Sequence, residues 1–73
     1  MKKLIKTSAV AAMKQTKGRF FGLYLKGGEV INAQFRRETP QMVLVYDRNN
    51  ARDRMINKSK IDYVFTNSKA FLA

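Results

Sequence analysis

Apolar and polar residues alternate with a period of two between positions 19 and 36, on both sides of a short turn. The residues on one face are Phe21, Leu23 and Leu25 before the turn and Ile31, Ala33 and Phe35 after it. This period is typical of a half-buried strand. The turn, at 26–29, contains two adjacent glycines, and we expect both to adopt positive φ, which costs glycine no Cβ strain. The pattern predicts a β-hairpin around which the rest of the chain is arranged.

Three further segments carry strand signals. Residues 41–47 include the apolar run MVLVY, which is typical of a strand buried on both faces. Residues 51–57 are more polar, and residues 60–65 read KIDYVF. The connections are a polar loop at 37–40, an Asp- and Asn-rich turn at 47–50 and a joint at 58–59 with room for one turn of tight helix. We expect residues 67–73 to be a tail that frays or docks on a neighbour.

The first sixteen residues have a different pattern. They are rich in Lys, Ala, Leu and Met, and their apolar residues recur at spacings of three and four, which predicts a helix that Gly18 ends. A secretory signal is the alternative, because Lys2 and Lys3 precede a small-residue run; Lys6 and its neighbours interrupt the apolar stretch too early for one. We therefore predict one mainly β domain: a helix over 1–17, a closed five-stranded barrel over 18–66 and a tail over 67–73.

The amino-acid composition narrows the range of functions that the chain can have. The chain has 73 residues and neither cysteine nor histidine, so a nucleophile–base pair is missing and no carboxylate pair has a spacing suited to acid–base work. We expect a protein that is not an enzyme and that holds no cofactor and no metal. Asp47 and Asp53 are candidate magnesium ligands, although turn capping and pairing with a nearby arginine is the simpler interpretation. A domain this small gains stability from self-association, so a homo-oligomer is one expectation.

The charge balance indicates the class of partner. The chain has fifteen Lys and Arg residues and five Asp and Glu residues, which gives a net charge of +10. Such a field attracts polyanions, and basic side chains neutralise phosphates without reading sequence. Outside the predicted helix, the candidate nucleic-acid-binding residues are Arg36 and Arg37, and then Arg48, Arg52, Arg54, Lys58 and Lys60.

Aromatic residues lie among these basic groups. Phe20 and Tyr24 should point away from the apolar face of the hairpin, and Tyr46 stands beside an Asp-Arg pair. Exposed aromatics beside a basic strip hold single strands on small barrels, so Tyr24 and Tyr46 are further candidates for nucleic-acid contact. Burial is the alternative for both tyrosines, and for Phe20 we expect burial, under the helix or in a subunit contact.

The runs LYLKGGEVINAQF, MVLVYD and RMINKSKIDYV, at 23–35, 42–47 and 54–64, resemble the Sm-like branch of small SH3-like barrels. The order of elements is most similar to short Sm-like, WYL-related proteins of tailed bacteriophages, and more distantly to the RNA chaperone Hfq. The resemblance implies an N-terminal helix and a five-stranded barrel. It also implies that Lys58, Ser59 and Lys60 match the Sm nucleic-acid loop and that Arg52 and Arg54 match the basic strand beside it.

Charge and resemblance together predict a small basic protein that binds RNA or DNA through the phosphate backbone. The expected role is that of an accessory or regulatory factor in the cytoplasm of a phage-infected host. We expect no membrane among its partners. The alternative is a protein-interaction module that docks on an acidic host protein such as a polymerase, nuclease or nucleoid factor, since the same charge would steer that encounter.

Overall fold

The computed structural model of this protein describes residues 8–73. They form one helix, six strands and a single 3₁₀ turn. The prediction of a mainly β domain with an N-terminal helix is confirmed, whereas the predicted number of five strands is wrong because the segment predicted as a tail adds a sixth. The elements are α1 (Ala9–Gln15), β1 (Phe20–Leu25), β2 (Val30–Glu38), β3 (Met42–Asp47), β4 (Arg52–Asn57), the 3₁₀ turn (Lys58–Lys60), β5 (Ile61–Thr66) and β6 (Lys69–Leu72). All strands belong to one open antiparallel sheet in the order β4-β3-β2-β1-β5-β6.

Helix α1 has defined ends. The Ser8 hydroxyl accepts a hydrogen bond from the Ala11 N–H at 3.2 Å, which satisfies one of the free donors at a helix N-terminus. After the C-cap Thr16, the chain turns through Lys17 and Gly18, both with positive φ, as expected for a glycine near a helix C-terminus. The part of the predicted helix that precedes Ser8 lies outside the described residues.

The turn between β1 and β2 differs from the prediction at one glycine. Gly28 has φ of +98°, whereas Gly27 does not adopt positive φ. The Gly28 N–H donates to the Leu25 carbonyl, and the Leu25 N–H donates to the Glu29 carbonyl, both at 2.9 Å. These bonds enclose a three-residue loop, a hairpin connection that needs a left-handed residue only at its last position.

The sheet has one buried face, which we call the inward face. Its fully buried residues come from β1 to β5, and α1 packs against them through Ala9, Ala12 and Met13. The expectation that β3 is buried on both faces is wrong: Val43 and Val45 are buried, while Leu44 and Tyr46 alternate with them and are only partly buried. The opposite surface, which we call the outward face, has no helix packed on it within residues 8–73, so its large side chains stay accessible.

The predicted C-terminal tail is a strand. Residues Lys69–Leu72 form β6, which pairs with β5 from Thr66 opposite Lys69 to Tyr63 opposite Leu72. Asn67 and Ser68 both have positive φ, the requirement of a two-residue hairpin turn. Phe71 packs against the inward-face core, so the segment contributes apolar contacts as well as backbone hydrogen bonds.

Replacing Phe71 by alanine tests this strand. We expect a loss of about 2 kcal/mol in the free energy of unfolding, below the usual cost of a fully buried Phe→Ala change because Phe71 is only partly buried. The matched control is Phe65→Ala on the outward face, where the side chain is 46% exposed and the expected change is within about 0.5 kcal/mol. Urea unfolding followed by circular dichroism measures both. Equal, small effects of the two substitutions would indicate a frayed tail.

Candidate nucleic-acid interface

A bulge in β2 brings one predicted arginine onto an aromatic ring. The β2–β3 register passes from Phe35 opposite Val45 to Arg37 opposite Leu44, so Arg36 has no partner and is the bulged residue. Its guanidinium carbon lies 5.2 Å from the centroid of the Tyr46 ring, within cation–π distance. Its Nε also lies 3.5 Å from the Asp53 carboxylate. Arg36 and Tyr46, both predicted from the sequence, therefore meet on the outward face.

A second cation–π pair continues this arrangement across the sheet. The Phe20 ring meets the Tyr46 ring edge to face, with centroids 6.4 Å apart and an interplanar angle of 60°. The guanidinium carbon of Arg48 lies 5.0 Å from the Phe20 centroid. We call the series Arg48, Phe20, Tyr46 and Arg36 the arginine–aromatic ladder.

Phe20 is the member of the ladder that sequence reasoning placed wrongly. The expectation of burial fails because its side chain is 37% exposed on the outward face, opposite Gln34 of β2. The period of two did predict its direction, since Phe21 is buried on the inward face. The sequence does not reveal which face of the sheet the helix covers. Within residues 8–73 no helix covers the outward face, so Phe20 stays exposed.

Tyr24 lies on the same face but belongs to a different aromatic pair. Its ring stacks on Tyr63 of β5, with centroids 4.4 Å apart and planes 9° from parallel. Tyr24 stands four residues along β1 from Phe20, which is a separation of about 13 Å at the usual rise of a strand. The structure therefore does not bring Tyr24 into the ladder, and each ring of the tyrosine pair covers one face of the other.

Arg54 has its charge balanced by two carboxylates. Its Nη1 lies 2.7 Å from Glu29 Oε2 and 3.5 Å from Asp47 Oδ2. Asp47 is buried and also accepts hydrogen bonds from the Asn49 and Asn50 backbone N–H groups and the Asn50 side chain. The simpler interpretation of Asp47, turn capping plus pairing with an arginine, is confirmed. Arg54 is thus held within the molecule.

The hydrogen bonds around Asp47 stabilise its ionised form. The bond from the Asn50 side chain is the main reason that the pKa of Asp47 lies below its ordinary value of 3.8, and burial acts in the opposite direction. Hydrogen bonds from the Arg54 guanidinium to Glu29 similarly lower the pKa of Glu29. Both carboxylates therefore stay charged at neutral pH and keep Arg54 engaged.

Lys58 is engaged in a comparable way. Glu38, at the end of β2, forms ion pairs with Lys58 of the 3₁₀ turn and with Lys14 of α1. Hydrogen bonds from Lys14 and Lys58 lower the pKa of Glu38 from its ordinary value. The three side chains tie α1 to the junction between β4 and β5.

The remaining predicted residues differ in position. Within residues 8–73, Arg37, Arg48, Arg52 and Lys60 have no carboxylate within 4 Å. Arg37 alternates onto the outward face next to the ladder, whereas Arg52 stands opposite the inward-facing Asp47 in the β3–β4 register. The Lys60 carbonyl accepts from the Lys26 N–H, so this residue lies at the far end of β1 from Phe20. Of the nine predicted residues, Arg36, Tyr46 and Arg48 belong to the ladder, and Arg37 follows Arg36 on the same face.

The described part of the chain also bears on metal binding and membrane insertion. No group of three or more His, Cys, Asp or Glu residues within 8–73 has an arrangement that could hold a metal ion. Over the same range, the single α-helix has seven residues, and no helix is long and apolar enough to cross a membrane.

Comparison with known proteins gives no match that would assign a function to this site. No family model, no curated protein and no solved structure matches the chain. The resemblance to Sm-like proteins therefore stays a prediction from the sequence.

Proposed function

We propose that this chain is a small basic nucleic-acid-binding protein that contacts the phosphate backbone through the arginines of its outward face. The observation that carries the proposal is that Arg36, Arg37 and Arg48 share the outward face, where Arg36 and Arg48 lie over the rings of Tyr46 and Phe20. Among residues 8–73, Asp53 is the one carboxylate within 4 Å of these three arginines. Three guanidinium groups on one face suit a polyanion, because arginine binds phosphate bidentately. The net charge of +10 adds long-range attraction.

The distribution of the acidic residues supports the same proposal. Glu29 and Asp47 pair with Arg54, and Glu38 pairs with Lys14 and Lys58. Three of the five acids thus neutralise cations away from the outward-face arginines. The field at those arginines is correspondingly less compensated than the overall composition implies.

The resemblance extends the proposal to fold and context. We propose an Sm-like barrel and an accessory or regulatory role in the cytoplasm of a phage-infected cell. The ion pair between Arg54 and Glu29 supports a strongly curved sheet, because it joins the edge strand β4 to the loop between β1 and β2, two strands away in the sheet order. A further expectation from the resemblance, a homo-oligomer formed at the edge strands, is tested by the native mass of the purified protein.

A salt series tests phosphate contact. Fluorescence anisotropy with labelled single-stranded and duplex oligonucleotides should give affinities that fall steeply with salt, with a log–log slope of about −0.7 per neutralised phosphate on single strands and about −0.9 on duplex. The double variant Arg37→Gln/Arg48→Gln should make the slope shallower by about 1 to 2. A matched variant, Lys26→Gln/Lys69→Gln, removes the same charge from exposed positions elsewhere and should change the slope less. Absence of binding at low salt would refute the proposal.

A second candidate function has its own supporting observation. The part of the outward face away from the ladder is apolar: Val30, Phe65 and Leu72 are 48%, 46% and 69% exposed. Exposed apolar patches beside charge are typical of protein-binding surfaces. This favours the alternative of docking on an acidic host protein. Purification from nuclease-treated lysate separates the two, because a stoichiometric acidic protein retained without nucleic acid, and lost in Val30→Asp, supports the docking function.

A further inference from the structure

The arginine–aromatic ladder offers planar surfaces in addition to charge. Both of its rings stand on the outward face, and each has a guanidinium group about 5 Å from its centroid. Phosphate contact alone does not need these rings. A Phe that is 37% exposed on a strand is also of little use to the core, since it gains only part of the free energy of burial.

The geometry of the ladder distinguishes it from the other aromatic pair. Tyr24 and Tyr63 are nearly parallel at 4.4 Å, so each already has an aromatic partner on one face. Phe20 and Tyr46 meet at 60°, and the groups over their faces are the arginines. The side chains of those arginines are long, and that of Arg36 is 46% exposed. A planar ligand can therefore insert between a ring and its guanidinium, or stack on the guanidinium itself.

Resting on the proposed function, we propose that the ladder binds single-stranded nucleic acid by stacking unpaired bases on Phe20 and Tyr46, while Arg36 and Arg48 contact the bases and the adjoining phosphates. Every base has a π-face, so this mode is tolerant of sequence. In a duplex the bases are stacked on each other and only the phosphates are available. The ladder thus sets a preference for single strands that charge alone does not provide.

Three probes of equal length separate stacking from charge. They are an oligo-dT of about twelve nucleotides, within the usual site sizes of small barrels, an abasic oligomer with the same phosphates, and a duplex. We expect oligo-dT to bind at least about tenfold more tightly than the abasic oligomer, since stacking contributes about 1–3 kcal/mol per base. The chain has three tyrosines and no tryptophan, so oligo-dT should also quench the intrinsic tyrosine fluorescence.

Two variants complete the test. Phe20→Leu/Tyr46→Leu keeps apolar side chains on the strands and should lower oligo-dT affinity at least about tenfold, with the abasic and duplex affinities unchanged. Phe65→Leu is the matched control, because it removes an exposed ring of the same face over which no arginine lies in the structure of residues 8–73. This variant should leave all affinities unchanged. Circular dichroism verifies that both variants are folded.

The outcomes separate the inference from the proposed function. Equal binding of all three probes with a common salt dependence would overturn the stacking inference and leave phosphate binding intact. Loss of oligo-dT affinity in Phe65→Leu as large as in the double variant would also overturn the assignment to the ladder. Failure of every probe to bind at low salt would overturn both proposals.

Discussion

Leu23→Ala is expected to lower the free energy of unfolding by about 3–4 kcal/mol, within the range for fully buried Leu→Ala changes. Leu23 is 0% exposed and lies in β1, where it pairs with Ile31 of β2 on one side and Val64 of β5 on the other. Domains have roughly 0.05–0.15 kcal/mol of stability per residue, so a chain of this size has only about 4–11 kcal/mol in total. The substitution should remove a large part of that and lower the urea midpoint accordingly.

Leu72→Ala is the control for this substitution. It deletes the same atoms from a side chain that is 69% exposed, and its effect should stay within about 0.5 kcal/mol. If the two variants had the same urea midpoint, the assignment of Leu23 to the centre of the core would be wrong. Nucleic-acid affinity under conditions where both variants are folded should be unchanged, because neither residue belongs to the ladder.

Asp47→Asn is expected to destabilise the protein at pH 7 and to weaken its response to acid. The carboxylate of Asp47 accepts hydrogen bonds from Asn49 and Asn50 and lies near Arg54, and its pKa is below the ordinary value of 3.8. A folded-state pKa that is lowered gives stability that is complete above the ordinary pKa and is lost as the pH falls through the folded-state value. The difference between wild type and variant should therefore be largest at neutral pH and shrink below pH 3.8.

Urea midpoints measured between neutral pH and pH 2–3 test this dependence. Glu38 also has a lowered pKa, but it pairs with Lys14 and Lys58, so its contribution is common to both proteins and cancels in the comparison. Glu29 shares Arg54 with Asp47, and loss of the Asp47 charge should lower the pKa of Glu29 further. Asp53→Asn is the matched control, because its carboxylate is half-exposed and lies 3.5 Å from a single arginine. A wild-type advantage over Asp47→Asn that is the same at every pH would contradict the assigned role of the charge.

The fold was predictable where side-chain periodicity and turn chemistry agree. The hairpin of β1 and β2, the strand β3 and the Asp- and Asn-rich turn all follow from local sequence, and all are present. The joint predicted at 58–59 is a 3₁₀ turn that extends over Lys58–Lys60. Strand β6 was missed because Asn67-Ser68 is a weaker hairpin signal than a turn containing glycine. Strand β6 is also short, and its stability depends on the contact between Phe71 and core residues that are distant in the sequence.

The candidate site was predictable only in part, since charge is visible in a sequence and its neutralisation is not. Arg54 pairs with Glu29, which lies 25 positions away, and Lys58 pairs with Glu38 at a separation of 20. Nothing local distinguishes these cations from Arg37 or Arg48. The ladder likewise depends on strand register, which sets Phe20 and Tyr46 on either side of Gln34.

The order of the strands has a consequence for how the chain reaches its native state. Four of the five strand pairings join neighbours in sequence and can form as local hairpins, whereas β1 with β5 must bring together residues such as Leu23 and Val64 across about forty positions. Because the entropy of closing that long segment is lost before its contacts form, we expect this junction to limit the rate of folding. Until it closes, β1 presents an open edge, and the newly made chain is then most exposed to aggregation.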